Sequence, residues 1–499
     1  MQRQPSLAEF EDWLKYGPAG VWPSRLDEPQ PLSPLQSKIV ARNAALLKDP
    51  IAWSARVGRF NAAIGAYGND AQEIGLLNEY CIHFDQHVFP RGDTDFRNRE
   101  FPCRVSFDGA FFEGGDVDFG KSRFIKGAGF ERALFDGQFV SFAGVTVDGG
   151  NVLFTDAEFK GKILSFSGMS ISPGILVFAR ATFDVRYLEF ERSNYESVFV
   201  NFREAKFSDC VLNFADSQFG DAGITLSDAI LVESHLGMAN VVIDGDLDCR
   251  GMVAKSASFF NGTVGGVTDF SGATFLNVPD LRHAKLDRAP EVARMRVPEP
   301  AMVHIISEKE QKKRGLHKRD FWQQVAADGN DVHKLRKLKA MAIAANDHEK
   351  DGEFFAYEMM AKRGVEHTTF WQLLFNTIYW KVSFYGQSYL RPLGWLGASF
   401  ATFAAIYALM AALPIGGWQS LAFGLTYSFK NSLPFLGTLT RSVPSPEGHI
   451  SWFALQLQAI KDAQPGPDWF TVLGTFQAML SLFFFFFLLL GLRNKFRLK

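Results

Sequence analysis

Cysteine is scarce in this 499-residue chain: four residues, Cys81, Cys103, Cys210 and Cys249, widely spaced and without a CxxC pair. That scatter argues against a disulfide framework and against structural zinc, and suits reduced thiols. A formal net charge of −2 excludes a strong general attraction to nucleic acid. His317, His333 and His348 are dispersed on polar ground, so no metal site is expected. There is no GxGxxG on a strand-to-helix turn, no Walker motif, no HExxH and no GxSxG. Neither enzymatic activity nor a cofactor is therefore expected. The opening "MQRQPSLAEFEDWLKYG" has no apolar signal-peptide core, so membrane entry is expected at the other end. "RGD" at 91–93 is assigned no role.

Charge is the other absence. None occurs from Pro392 to Phe429, and none from Trp469 to Leu492. "LGWLGASFATFAAIYALMAALPI" (393–415) and "WFTVLGTFQAMLSLFFFFFLLLGL" (469–492) each reach the roughly 20 residues that span hydrocarbon. Apolar residues run all round them, which predicts two transmembrane helices rather than buried amphipathic ones. Lys381 and Arg391 precede the first span, and Arg493, Lys495, Arg497 and Lys499 follow the second. The positive-inside rule then sets both termini in the cytoplasm and residues 416–468 outside.

Between the spans lies "WQSLAFGLTYSFKNSLPFLG" (418–437), apolar but too short to cross. A third crossing would put the basic tail on the wrong side. The alternatives are a re-entrant helix that breaks at Pro434, and an interfacial helix lying flat on the outer leaflet. Re-entry requires burial in protein or a water-lined path, hence a pore.

Large apolar residues also recur at spacings of five and then seven. They run Phe107, Phe112, Phe119, Phe124, then after a one-residue slip Phe130, Phe135, Phe142, Val147, Phe154, Phe159, and onward to Leu226. "DFSGATF" (269–275) restores the five-residue step. Such a period predicts a solenoid, whose coils stack identical positions into interior ladders. Alanine before several of these phenylalanines, as in "AEF" (157–159), "AKF" (205–207) and "ATF" (273–275), marks a tighter inward position where the wall turns.

These units resemble pentapeptide repeats over residues 101–287. The resemblance implies a right-handed, quadrilateral β-helix, here with enlarged coils. Acidic residues outnumber basic ones 25 to 17 between 101 and 290, but Arg123, Arg132, Arg180, Arg186, Arg192 and Arg203 interrupt them. The surface reads as mixed and solvated, not as a DNA mimic, and nucleic acid is not an expected partner.

Residues 1–100 are helical in pattern and suit a cap for the solenoid's open end. "DRAPEVARMRVPEPAM" (287–302) reads as a linker. Region 288–367 is linker plus a helical hairpin, with Leu335, Leu338 and Ala342 on one face and Phe355 and Met359 on the other. Aromatic-rich 368–391 reads as a helix in the membrane interface, and 392–499 as a two-span domain.

"YGQSYLRPLGWL" (385–396), "FFAYEMMAKR" (354–363) and "SFKNSLPFLG" (428–437) resemble the junction, juxtamembrane helix and pore loop of bacterial proteins that fuse pentapeptide repeats to a two-transmembrane, potassium-channel-like module. The resemblance covers roughly 101–499. It implies a homo-oligomeric ion channel of the bacterial inner membrane, a homotetramer, transporting an ion. "KNSLPFLG" departs from a TVGYG filter, so potassium selectivity is not inherited.

Expected filter residues are Lys430, Asn431, Ser432, Leu433, Pro434 and Gly437, with Asn431 and Ser432 as the polar ring or as caps of the broken helix. A helix C-terminus at mid-membrane favours a cation. Thr471, Thr475, Gln477, Ala478 and Ser481 are expected to line the second span, and Phe483, Phe484, Phe486 and Phe487 to form a hydrophobic gate. The competing expectation is a non-conducting β-helix scaffold, tethered to lipid, that binds cytoplasmic partners.

Overall fold

Phenylalanine spacing sets the pitch of the solenoid. In the computed structural model, which describes residues 31–32, 34–67, 80–92, 94–195, 198–304, 324–367, 369–415, 417–433 and 469–496, three parallel sheets of nine, thirteen and nine strands wind through about eight turns. Phe135 pairs with Phe159, Phe159 with Phe183 and Phe183 with Phe207, so one coil is twenty-four residues, two units of five plus seven. Four interior ladders result. Phe107, Phe130, Phe154, Phe178 and Phe202 form one, with neighbouring rings 4.7–5.0 Å apart. That distance matches the spacing of adjacent strands, so backbone pairing and ring stacking reinforce each other.

The wall turns where the small residues sit. Ala133, Ala157, Ala181, Ala205 and Ala229 are fully buried, each one residue after a left-handed corner at Arg132, Asp156, Arg180, Glu204 or Asp228. A Cβ-bearing residue at positive φ is disfavoured. Repeated hydrogen bonds close these corners, as from Ala157 N to Phe154 O (3.1 Å). Outside, Arg180 makes a bidentate pair with Asp156 one coil below (2.8 Å each).

The ladder begins ahead of residue 101. Phe84, Phe89, Phe96 and Phe101 form a complete coil beneath Phe107, Phe112, Phe119 and Phe124. Helices α1 (Pro34–Lys48) and α2 (Pro50–Tyr67) close this end. Trp53 is buried against Phe84 and Phe101, and its indole N–H donates to Glu100 O (2.8 Å). Cys103 is disulfide-bonded, which corrects the expectation of four reduced thiols. Coil geometry is the physical reason, because residues one turn apart become neighbours on adjacent rungs. Cys81 stands in the strand Tyr80–His83 that pairs with Arg104–Ser106. Cys210 and Cys249 remain free, buried thiols, and burial pushes Cys210 up to about 12 and Cys249 well above its ordinary value.

The proline-rich segment expected as linker still belongs partly to the solenoid: Val292, Met295 and Val297 are buried, and Glu291 bridges Asp269. Helix α3 (Asp331–Ala344) covers the last coil, with Leu335, Leu338 and Ala342 buried and Lys337 Nζ donating to Ala284 O (2.7 Å). The described residues up to 299, together with 333–347, thus form one compact unit.

The second unit contains a small hairpin, Met302–His304 against Gln324–Ala326, followed by α4 (His348–Ala361), α5 (Phe370–Ser383), α6 (Leu390–Ile415), α7 (Gly417–Ser432) and α8 (Trp469–Phe496). The helices expected as one hairpin, α3 and α4, therefore belong to different units. Helices α6 and α8 are long and apolar enough to cross a membrane, about 39 and 42 Å at the usual rise. Only 28% and 22% of their apolar windows are covered by the chain itself, unlike the core helix of a soluble protein.

Candidate functional site

Helix α7 is much shorter than its neighbours, about 24 Å, and lies against both. Its contacts fix its direction. Ser428 Oγ donates to Phe400 O (2.7 Å), and a Cβ on Gly424 would meet Ala404 and Ala408, so α7 runs antiparallel to α6. Phe423 and Tyr427 meet Phe470, while Ser428 and Ser432 meet Gln477, so α7 runs in the same direction as α8. Phe403, Tyr407, Ala411, Phe423, Tyr427 and Phe470 form the shared core. The last turn of α7 reaches the level of Phe400, near the middle of α6. The helix stops at Ser432, ahead of Pro434, whose ring disfavours helical backbone just before it.

The expected filter residues have separate surroundings. Lys430 is exposed, Asn431 and Leu433 are half-buried, and Ser432 is buried. Pro434 and Gly437 lie outside the described residues. Ser432 Oγ accepts from Gln477 Nε2 (3.0 Å), and the same amide donates to Ser428 Oγ (2.8 Å) and Ser428 O (3.0 Å).

The polar stripe expected along α8 is divided. Gly474, Gln477 and Ser481 are buried on the inner side, Ala478 is half-buried, and Thr471 and Thr475 are exposed on the other. The split follows from α7, which occupies the side where the larger hydrogen-bonding groups lie. The four phenylalanines also diverge. Phe484 stacks on Trp395 of α6 (6.2 Å), Phe487 approaches Tyr379 of α5 (5.6 Å), and Phe483 and Phe486 face outward. Five consecutive phenylalanines necessarily sample the whole helix circumference, so one chain does not assemble them into a ring.

A second polar centre holds the junction between α5 and α6. Arg363 is 2% exposed. Its Nε donates to Asn376 Oδ1 (2.6 Å) and Nη2 to Tyr385 OH (3.0 Å), while the guanidinium lies 4.8 Å from the Trp380 ring. Tyr385 OH donates in turn to Asn376 Oδ1 (2.6 Å). Among the described residues no carboxylate pairs with Arg363, so neutral oxygens and a π face carry the buried charge. Burial pushes the Tyr385 phenol up to about 12, against the opposing influence of Arg363. Phe384, Tyr385 and Gly386 all have positive φ, a sharp left-handed turn between the helices. Asn494 of α8 donates to Gly386 O (3.0 Å), tying the end of the second long helix to this turn. The segments containing Arg363 and Tyr385 were legible as motifs, but their partnership was not. They are separated by a whole helix, and no local periodicity links them.

His367 extends this centre: its Nδ1 accepts from Asn376 Nδ2 (3.0 Å). Burial, then Lys362, lower its pKa from the ordinary 6.5, and Arg363 adds to this while Glu366 opposes. A depressed pKa means that the unfolded chain binds the proton more readily. The stabilisation is complete above pH 6.5 and is lost as pH falls below it toward the folded value. Melting midpoints of the purified protein should therefore drop on acidification from pH 7.5, and His367→Gln should flatten that dependence. An identical slope in the variant would remove His367 from the account.

Comparison with family models, with curated proteins and with solved structures finds no match to this chain.

Proposed function

We propose that this protein is an oligomeric membrane ion channel, cation-conducting and tetrameric, regulated through a cytoplasmic β-helix. What supports the reading is the direction of α7. It runs with α8 and against α6, and stops near the middle of α6. If α6 and α8 cross the bilayer, the chain must return from mid-depth to the outer side before Trp469. The filter residues would then stand around a shared axis. The C-terminal ends of four such helices would favour a cation. The solenoid is taken to be a right-handed pentapeptide-repeat β-helix with both termini cytoplasmic. A cytoplasmic ligand or protein bound to it would act on the pore through the α5–α6 junction. The absence of a TVGYG filter argues for a pore of a different selectivity from potassium channels.

Purified protein in planar bilayers should give discrete conductance steps. Asn431→Asp or Ser432→Asp should shift the reversal potential in asymmetric salt toward stronger cation preference. An unchanged potential in both variants would remove these residues from the filter. A second reading, a tethered scaffold that recruits cytoplasmic proteins, is favoured by one observation. Gln477 directs its amide donors to Ser428 and Ser432 within the same chain, so these donors are satisfied without neighbours. Counting subunits by cryo-EM separates the readings, since a monomer in mild detergent leaves only the tether.

A further inference from the structure

Three oxygen atoms among the described residues remain without a partner at one depth of the helical unit. Gln477 and Ser481 are fully buried and Ser399 is 8% exposed, yet Gln477 Oε1, Ser481 Oγ and Ser399 Oγ have no hydrogen-bond partner. Their depth follows from ring contacts on either side. Trp395 stacks on Phe484 and Phe403 meets Phe476, which fixes the antiparallel register of α6 and α8 and sets Ser399 level with Ser481. Gln477 lies one turn from Ser481 on the same helix face. Ser428 of α7 lies beside the site, because it bonds the Phe400 carbonyl, adjacent to Ser399, and also receives Gln477.

We propose that these three oxygens bind an internal water molecule, which joins α6 and α8 beneath the end of α7. The water donates to Gln477 Oε1 and to one serine hydroxyl and accepts from the other. Buried waters typically make about three such bonds. Immobilising one water costs less than leaving three buried oxygens unpaired in an apolar surrounding. A bare cation fits poorly, because α5 to α8 contain no Asp or Glu to offset its desolvation. Gln477 then has two tasks: its amide N–H groups hold α7 and its oxygen holds the water. It is a positioning residue for the depth at which α7 ends.

The inference rests on the membrane placement of the helices and not on conduction. Its test is water-edited solid-state NMR on the full-length protein in lipid bilayers, with glutamine side chains labelled with 15N. Gln477→Glu identifies the Gln477 signal by its loss. In the unsubstituted protein the Gln477 amide should receive magnetisation from water. Ser481→Val, which removes the hydroxyl, should abolish that transfer, and Ser481→Thr, which restores a hydroxyl, should bring it back. If Ser481→Val does not fold, Ser399→Val applies the same test from the facing helix. No transfer in the unsubstituted protein, or full transfer in the valine variant, overturns the proposal. Conductance steps that persist without the transfer would remove the water site alone. Transfer in a protein that does not conduct would remove the channel reading alone.

Discussion

Phe154→Ala is expected to destabilise the solenoid by about 3–5 kcal/mol, the range for deleting a buried aromatic side chain. Phe154 is fully buried and central to its ladder, 4.9 Å from Phe130 below and 5.0 Å from Phe178 above. It also meets Phe142 edge-on at 5.3 Å, and Phe159 and Phe166 at 5.6 Å each, so five aromatic partners lose contact at once. A coil touches only its neighbours, so no distant part of the fold can close the gap, and the stack is divided into two shorter ones. Circular dichroism of the β signal during thermal or urea unfolding of the whole chain measures the loss. Tyr187→Ala, at an outward position 40% exposed, serves as the control and should change stability by no more than about 0.5 kcal/mol. Equal losses in the two variants would refute the ladder as the main source of stability.

Gly424→Val is expected to separate α7 from α6. A Cβ at Gly424 would lie 2.4 Å from Ala404 O and 2.7 Å from Ala408 N, both backbone atoms that cannot move aside. The helices must part, and Ser428 then leaves the Phe400 carbonyl. Overpacking of this kind costs about 1–3 kcal/mol, and occasionally more. The melting midpoint in detergent should fall sharply, and any conductance should vanish. Gly397, on the facing helix α6, has nothing within 4 Å of its would-be Cβ, so Gly397→Ala should be tolerated. Normal conductance in Gly424→Val would exclude α7 from the pore.

Much of the architecture follows from local spacing. A five-plus-seven period admits a solenoid and little else, and the structure repeats it as coils of twenty-four residues. The first coil, Phe84, Phe89, Phe96 and Phe101, obeys the same pattern and joins the run by a six-residue step to Phe107, the slip that also separates Phe124 from Phe130. The two long helices were equally legible, since twenty apolar residues without charge leave few alternatives. The α8 stripe was not. A helical wheel groups Thr471, Thr475, Gln477 and Ser481 loosely, and the position of α7 decides which of them is covered.

Periodicity and the distribution of charge thus settle the stacked coil and the apolar helices, because both properties are carried by neighbours along the chain. Which side chains meet is another matter. Arg363 with Tyr385, Gln477 with Ser428, and Trp53 with the first coil are pairings across 22, 49 and 48 residues of chain, read from Arg363, Gln477 and Phe101 respectively. Each depends on how separate elements lie against one another, and such contacts leave no regular trace in the order of residues.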